Sequence, residues 1–245
     1  MTDQKVVTPY GDQEKAKKEQ VEDMFDAIAP TYDRLNRVLS FNIDKGWRKR
    51  TIKLMKEDGL DKRVLDIATG TADLAIASAS AGYSQVTGLD LSEQMLAFGR
   101  QKVEKRGLNP NIKLVKGDSE ALPYDEDAFD IITCAFGARN FGNLNAGLKE
   151  MHRVLSQKGQ VLILEFSKPK NKFFKALYYF YFFRVLPFIG KLFSGDSRAY
   201  TYLPESVDAF PSGTAFADEM KKAGFKTVKC HPQTFGICTI YQARK

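Results

Sequence analysis

Small and polar residues recur where they could cradle and read a ligand. Asp66-Ile-Ala-Thr-Gly-Thr-Ala-Asp73 follows a β-rich run and opens a helical one, and its Ala68, Gly70 and Ala72 leave the backbone uncrowded. Such a turn lets a ligand approach peptide N–H groups at a helix N-terminus. It lacks the three glycines of a dinucleotide fingerprint, so alone it also reads as a tight structural turn. Asp66 either lies behind the turn and orients it or is a satisfied buried acid. Asp90 stands about 20 residues beyond Gly70, at the end of the next β-rich run. A carboxylate there is placed to accept from both hydroxyls of a ribose, or to cap the helix that follows. Asp118-Ser119, after a third run, offers an acceptor for an adenine amino group, or a turn or helix cap. A fourth cluster, AFGARNF from Ala135 to Phe141, sets Arg139 and Asn140 towards the space a second reactant would fill.

These groups need elements that bring them to one edge. Runs at 63–68, 84–90, 111–118, 129–136 and 159–166 read as strands, and the first, fourth and fifth are apolar enough to be buried on both faces. Helical spacing fills 72–81, 93–106 and 144–155, with Asp90-Leu-Ser92 as a cap for the second of these. The alternation predicts an α/β fold, a doubly wound and mostly parallel sheet with right-handed crossovers. A helix at 213–223 and two closely spaced strands ending at Arg244 predict an antiparallel edge. In such sheets ligands bind beyond the carboxyl ends of the strands, where the four clusters fall.

Ahead of the sheet, 1–20 reads as a flexible N-terminus and 21–60 as a helical preface within a single domain over 21–245. Val21, Met24, Phe25 and Ile28 follow helical spacing, Pro30 is expected to stop that helix, and a second is expected from Tyr32 to Met55.

The 245 residues carry 37 Lys plus Arg against 30 Asp plus Glu, a net charge of +7 that invites a nucleic-acid reading. The distribution argues against it. Residues 1–167 hold 24 basic and 25 acidic side chains, whereas 168–245 hold 13 and 5. The excess accompanies an aromatic insertion at 168–212, so no nucleic-acid partner is expected. Three Cys without Cys-x-x-Cys spacing and two His predict neither a disulfide framework nor a metal site. Cys134, Cys230 and Cys238 read as buried strand residues, His152 and His231 as structural, and Trp47 as core. The polar N-terminus has no apolar run after a basic start, so a reducing, cytoplasmic setting is expected.

The longer motifs carry a resemblance. MFDAIAPTYDRLNRVLS from Met24, LDIATGTAD from Leu65, SEALPYDEDAFDIITCAFGARN from Ser119, HRVLSQKGQVLILEFSKP from His152 and YTYLPESVDAFP from Tyr200 resemble the ubiquinone/menaquinone biosynthesis C-methyltransferase family. The FG-x-RN, LEFSKP and Y-x-YL-x-ES elements are the most specific. The resemblance implies a class I methyltransferase fold with a seven-stranded sheet and S-adenosylmethionine as methyl donor. It implies that Gly70, Thr71, Asp90, Asp118, Ser119 and Ala135 face that donor. The chain departs from the family pattern at Thr69 and Ala72, where Gly is usual, at Asp118-Ser119, where Asn-Ala is usual, and at Ala135, where Ser is frequent.

The implied acceptor is a polyprenylated quinol, demethylmenaquinol or a related benzoquinol intermediate. A ring carbon becomes nucleophilic when an adjacent hydroxyl loses its proton, so a cation near that oxygen favours reaction. Arg139 could stabilise the phenolate, with Asn140 and Tyr32 holding the ring or a relaying water. Alternatively Arg139 pairs with Asp33 or Glu165 and braces the sheet end, and Asn140 forms a turn. The segment 171–193 holds 10 of the 28 Phe plus Tyr but is interrupted by Lys175, Arg184, Pro187 and Lys191, so it does not span a membrane. It reads either as packing against the sheet or as a lining for a polyprenyl tail and a peripheral contact, through 168–193, with the inner face of the cytoplasmic membrane. A homodimer is compatible with the sequence.

Overall fold

Seven strands form one sheet in the computed structural model, which describes residues 7–185 and 198–245. They are β1 (Arg63–Ile67), β2 (Gln85–Asp90), β3 (Ile112–Lys116), β4 (Phe129–Ala135), β5 (Leu155–Phe166), β6 (Thr227–Gln233) and β7 (Cys238–Arg244). Their order is β3-β2-β1-β4-β5-β7-β6, with β7 running against both neighbours. The seven expected strands are all present, and β7 with β6 outside it forms the expected antiparallel side. β5 starts earlier than its apolar run suggested, because it continues directly from the preceding helix through a register shift opposite Phe129 and Ile131.

The sheet is covered on both faces by α1 (Lys17–Leu39), α2 (Ile43–Met55), α3 (Asp73–Ser80), α4 (Glu93–Lys105), α5 (Leu144–Val154), α6 (Lys172–Phe180), α7 (Arg198–Ala209) and α8 (Thr214–Lys222). Alternation along each strand sorts the core. Leu65, Ile67, Ile132, Cys134, Val161 and Ile163 pack with Leu148 and Met151 of α5 and Phe216 and Met220 of α8. Val64, Ile131, Leu162 and Leu164 face the other way, onto Ile52, Leu74, Ile76 and Val103 of α2, α3 and α4. This period of two with both faces apolar is what a doubly covered sheet demands. Winding reverses between β1 and β4, so a crevice opens beyond their carboxyl ends.

The preface differs from its expected form. α1 runs unbroken through Pro30 and ends at Leu39, and the break falls at Phe41 and Asn42, both in the left-handed region. Proline removes one backbone hydrogen bond in a helix interior, at about 3 kcal/mol. Tertiary packing offsets that loss: Val21, Met24, Ile28, Ala29, Leu35 and Leu39 form one buried stripe on both sides of Pro30. The Asp26 carboxylate also accepts from the Ser92 hydroxyl at the start of α4. Residues 7–16 carry no helix or strand, but the buried Gln20 amide donates to the carbonyls of Asp12 and Lys15 at 2.7 and 2.9 Å. Cys134 and Cys238 are buried as expected, whereas Cys230 is exposed on the outer strand β6. Of the aromatic insertion, 186–197 lie outside the described residues, among them Pro187, Phe188, Lys191 and Phe193.

Candidate active site

A cleft of about 720 Å³ opens beyond β1, β2, β3 and β4. Its floor is the turn after β1, where Ala68, Gly70 and Ala72 have φ of 52°, 57° and 65°. A Cβ on Gly70 would meet no atom within 4 Å, so the turn presents an open backbone surface to the cleft. Gly137 has the opposite role: a Cβ there would lie 2.4 Å from the Ala68 side chain, so its absence lets the turns after β1 and β4 touch.

Two acids, Asp66 buried and Asp90 half-buried, hold this floor. Asp66 accepts from the Thr69 and Thr133 hydroxyls at 2.6 and 2.7 Å, and Asp90 accepts from the Gly70 and Ser92 N–H groups at 2.7 and 2.9 Å. Burial raises both carboxyls to about 6, against the pull of these hydrogen bonds. Asp118 and Ser119 line the far side. Asp118 accepts from the Glu120 N–H at 2.8 Å and pairs with Lys18 at 3.2 Å. Lys18, Val21, Glu22 and Phe25 make α1 the cleft's cover. Lys17 fastens it, donating to the carbonyls of Arg139 and Phe141 at 3.0 Å each, and burial beside Arg139 brings its ammonium down to about 8.

A second cavity of about 1580 Å³ lies between α1, α2, α6 and α7. Its wall is mostly aliphatic and aromatic. Phe25, Tyr32 and Phe136 line both spaces and form the partition between them. At this partition the short turn Ala138–Asn140 sends successive side chains to different compartments: Asn140 lines the cleft and Arg139 the cavity. Arg139 is paired with Glu165 at 3.1 Å and also donates to the Phe136 carbonyl, and the two side chains are only 9% and 1% exposed. Its Nε has no partner. Burial raises the Glu165 carboxyl while Arg139 opposes the shift. Burial likewise raises the Tyr32 phenol, opposed by Arg139 and Arg48. Asn140 is fixed by Tyr202, whose hydroxyl donates to its Oδ1 at 3.2 Å.

The expected residues thus converge, with two distinctions. Gly70, Asp90, Asp118, Ser119, Ala135, Asn140 and Tyr32 line the cleft, and Arg139 faces the cavity through the pairing with Glu165 that the sequence left open. Thr71 lines neither. It is buried, donates to Asp33 at 2.6 Å, and shares a network with Lys102, which bonds Asp33 at 2.7 Å. Asp33 therefore braces α1 against the turn. Sequence reasoning missed Lys17 and Lys18, which fall in the stretch 1–20 read as a flexible N-terminus, and the role of Tyr202 inside YTYLPES. Trp47 is buried as expected but also lines the cavity, donating to Thr234 at 2.8 Å.

The uncrowded turn, the acid at the end of β2 and the polar groups after β3 fit a nucleoside-bearing donor, and the fold defines the class of S-adenosylmethionine-dependent methyltransferases. A methyltransferase from Aquifex aeolicus superposes with a TM-score of 0.56 at 20% identity, covering 78% of this chain and 87% of that one. One from Bacillus halodurans gives 0.57 at 22%, covering 78% and 96%. The chain belongs to the ubiE/COQ5 methyltransferase family, whose sequence profile matches residues 13–245. It is 48% identical to the ubiquinone/menaquinone biosynthesis C-methyltransferase of Geotalea daltonii over 94% of this chain and 97% of that protein. It is 43% identical to the demethylmenaquinone methyltransferase of Bacteroides fragilis over 99% and 98%.

Proposed function

We propose that the protein transfers a methyl group from S-adenosylmethionine to a ring carbon of a polyprenylated quinol, with demethylmenaquinol as the first candidate. The observation that carries this reading is the pair of adjoining compartments, a polar cleft and a larger apolar cavity. They share Phe25, Tyr32 and Phe136, with Arg139 and Asn140 on opposite sides of the partition. The names of the full-length relatives support the same substrate class.

Asp90 would hold the ribose hydroxyls, the open turn at Gly70 the amino-acid end, and Asp118 and Ser119 the base. When bound, S-adenosylmethionine supplies an electrophilic methyl on a sulfonium. The protein's task is to position the ring carbon and manage charge. The Nε–H of Arg139 has no partner while Glu165 fixes the plane of the guanidinium, and in this reading Arg139 would donate to the hydroxyl oxygen beside the reacting carbon. As that hydroxyl's proton passes to a water, the guanidinium would stabilise the phenolate and raise electron density at the ring carbon, which would form the new bond to the methyl as the S–CH3 bond breaks and a neutral thioether leaves. The ring carbon's own hydrogen would then pass to water as a proton, restoring aromaticity, and the phenolate oxygen would take a proton back from water, for a net release of one proton. Tyr32 and Asn140 line the cleft side, where they would hold the ring edge or a relaying water.

The tail would follow the cavity to its outer end. Phe173, Leu177, Phe180 and Phe183 are exposed at steps of three and four, while Phe174 and Tyr178 line the cavity. Exposed Phe41, Ile43 and Phe235 extend the apolar surface, and Lys172 and Lys175 supply positive charge beside it. We read this as a face that rests on an anionic membrane surface. No described helix is long and apolar enough to cross a membrane. Incubation with methyl-labelled S-adenosylmethionine and a panel of reduced demethylated naphthoquinols and benzoquinols, followed by product identification, tests the assignment. Methylation of none of them would refute it.

A further inference from the structure

Buried polar atoms without partners are rare and costly, so where they cluster they point to a missing ligand. Among the described residues four such side-chain atoms occur: Arg48 Nε, Tyr83 Oη, Arg139 Nε and Tyr178 Oη. Three of these residues, Arg48, Arg139 and Tyr178, line the apolar cavity. Arg139 has a place in the proposed chemistry. Arg48 does not, and its setting repeats that of Arg139.

Arg48 lies on α2, one turn beyond Asp44, and its Nη1 pairs with that carboxylate. Asp44 is held in turn by the Ser40 hydroxyl at 2.6 Å. The Arg48 charge is therefore already matched, as that of Arg139 is by Glu165. In each guanidinium Nη1 carries the pairing while Nε lacks an acceptor, which a neutral hydroxyl or carbonyl oxygen satisfies and a second carboxylate or phosphate would over-neutralise. The two groups stand over neighbouring rings. Arg48 Cζ is 5.8 Å from the Phe136 centroid, Arg139 Cζ is 5.7 Å from the Phe166 centroid, and the two rings are 4.7 Å apart. Trp47 packs against both at 6.0 and 6.2 Å. A flat ligand on this aromatic wall would lie beside both guanidiniums, each of which lines the cavity with its Nε unpartnered.

We propose that Arg48 binds the second ring oxygen of the acceptor, the one remote from the methylated carbon, and so selects rings bearing two oxygens over simple phenols. This rests on the proposed function and extends it to a residue on a different helix. Arg48 acts on binding and orientation of the ring, not on the methyl donor.

Trp47 is the only Trp and lines the same cavity, so its fluorescence reports occupancy without methyl transfer. The test titrates wild type, Arg48→Lys and Arg48→Met, without oxygen, against a prenylated 1,4-naphthoquinol and against its analogue keeping only the hydroxyl beside the acceptor carbon. Arg48→Lys keeps a cation for Asp44 but loses Nε–H. Wild type should bind the two-oxygen ring about tenfold more tightly than the one-oxygen ring, the worth of one charge-assisted hydrogen bond. Both variants should bring that ratio close to one by weakening the quinol alone, with S-adenosylmethionine affinity by calorimetry unchanged. An unchanged ratio in the variants, equal binding of the two rings by wild type, or parallel loss of donor binding in both variants would overturn the proposal while leaving the quinol assignment in place. Failure of wild type to bind or methylate either ring would overturn the function and this inference together.

Discussion

The cleft and the cavity lie on two sides of one aromatic partition and are built on opposite terms. At the cleft the carboxylates already have partners: both oxygens of Asp90, and of Asp66 behind the turn, accept hydrogen bonds, and Asp118 accepts from a backbone N–H and is ion-paired. In the cavity two ion-paired guanidiniums and a tyrosine hydroxyl each keep an atom unsatisfied. The cleft's carboxylates are held by the protein's own groups, whereas the cavity keeps polar atoms that an occupant of the proposed kind would complete. A site that holds the same donor at every turnover gains from fixed geometry. One that takes a long apolar acceptor needs volume with a few directional contacts.

The comparison is broken most directly at Arg139. Arg139→Ala should lower kcat about 10²- to 10³-fold, the scale of losing one donor to a developing oxyanion, with donor affinity within about twofold. Labelled-methyl transfer and calorimetry check this, and an equal loss of donor binding would merge the two compartments into one. Next in size is Asp90→Ala, which should weaken S-adenosylmethionine binding by roughly ten- to a hundredfold, as expected for charge-assisted hydrogen bonds. In the proposed role the ionised form of Asp90 is the one that would accept from ribose hydroxyls. With its carboxyl at about 6, donor affinity should be flat from pH 8 to 7 and fall as pH drops through that value. Asp90→Asn should flatten the profile.

A smaller effect is expected at the cavity's outer end. Replacing Phe173, Phe180 and Phe183 together by Ser should reduce partition onto anionic vesicles about tenfold in sedimentation assays, given the apolar area lost. Turnover of a short-chain quinol should be unchanged, which would separate docking from chemistry. The smallest change belongs to the scaffold of the cleft. Ser92 caps α4 by accepting from the Met95 N–H at 3.1 Å, and Ser92→Ala should cost about 1 kcal/mol in denaturant unfolding.

The cleft was far more legible than the cavity, and for a physical reason. Its residues lie within a few positions of strand ends, so a correct strand assignment also placed Gly70, Asp90, Asp118 and Ala135 at one edge. Ser92 as a helix cap was readable from three residues. Thr71 shows where that reasoning stops, because its direction depends on Asp33, which lies on α1. Pro30 shows it again: local propensity argued for a helix end, and a buried stripe spanning both sides of the proline prevailed. The cavity draws its walls from α1, α2, α6 and α7, and nothing in the spacing of Asp44, Arg48, Arg139 or Tyr178 announces that they face one space.

By itself the sequence determined the alternation of strands and helices, the small-residue turn and the acids that follow strands, because these depend on hydrophobic period and on backbone freedom within a few residues. It also carried, through its longer motifs, the resemblance that the family match bears out. Only the tertiary structure decided which arginines are paired, which atoms remain unsatisfied, and that Arg139 and Asn140 serve different compartments. Those outcomes depend on burial and on partners distant in the chain, and desolvation makes such contacts decisive only once the fold has excluded water.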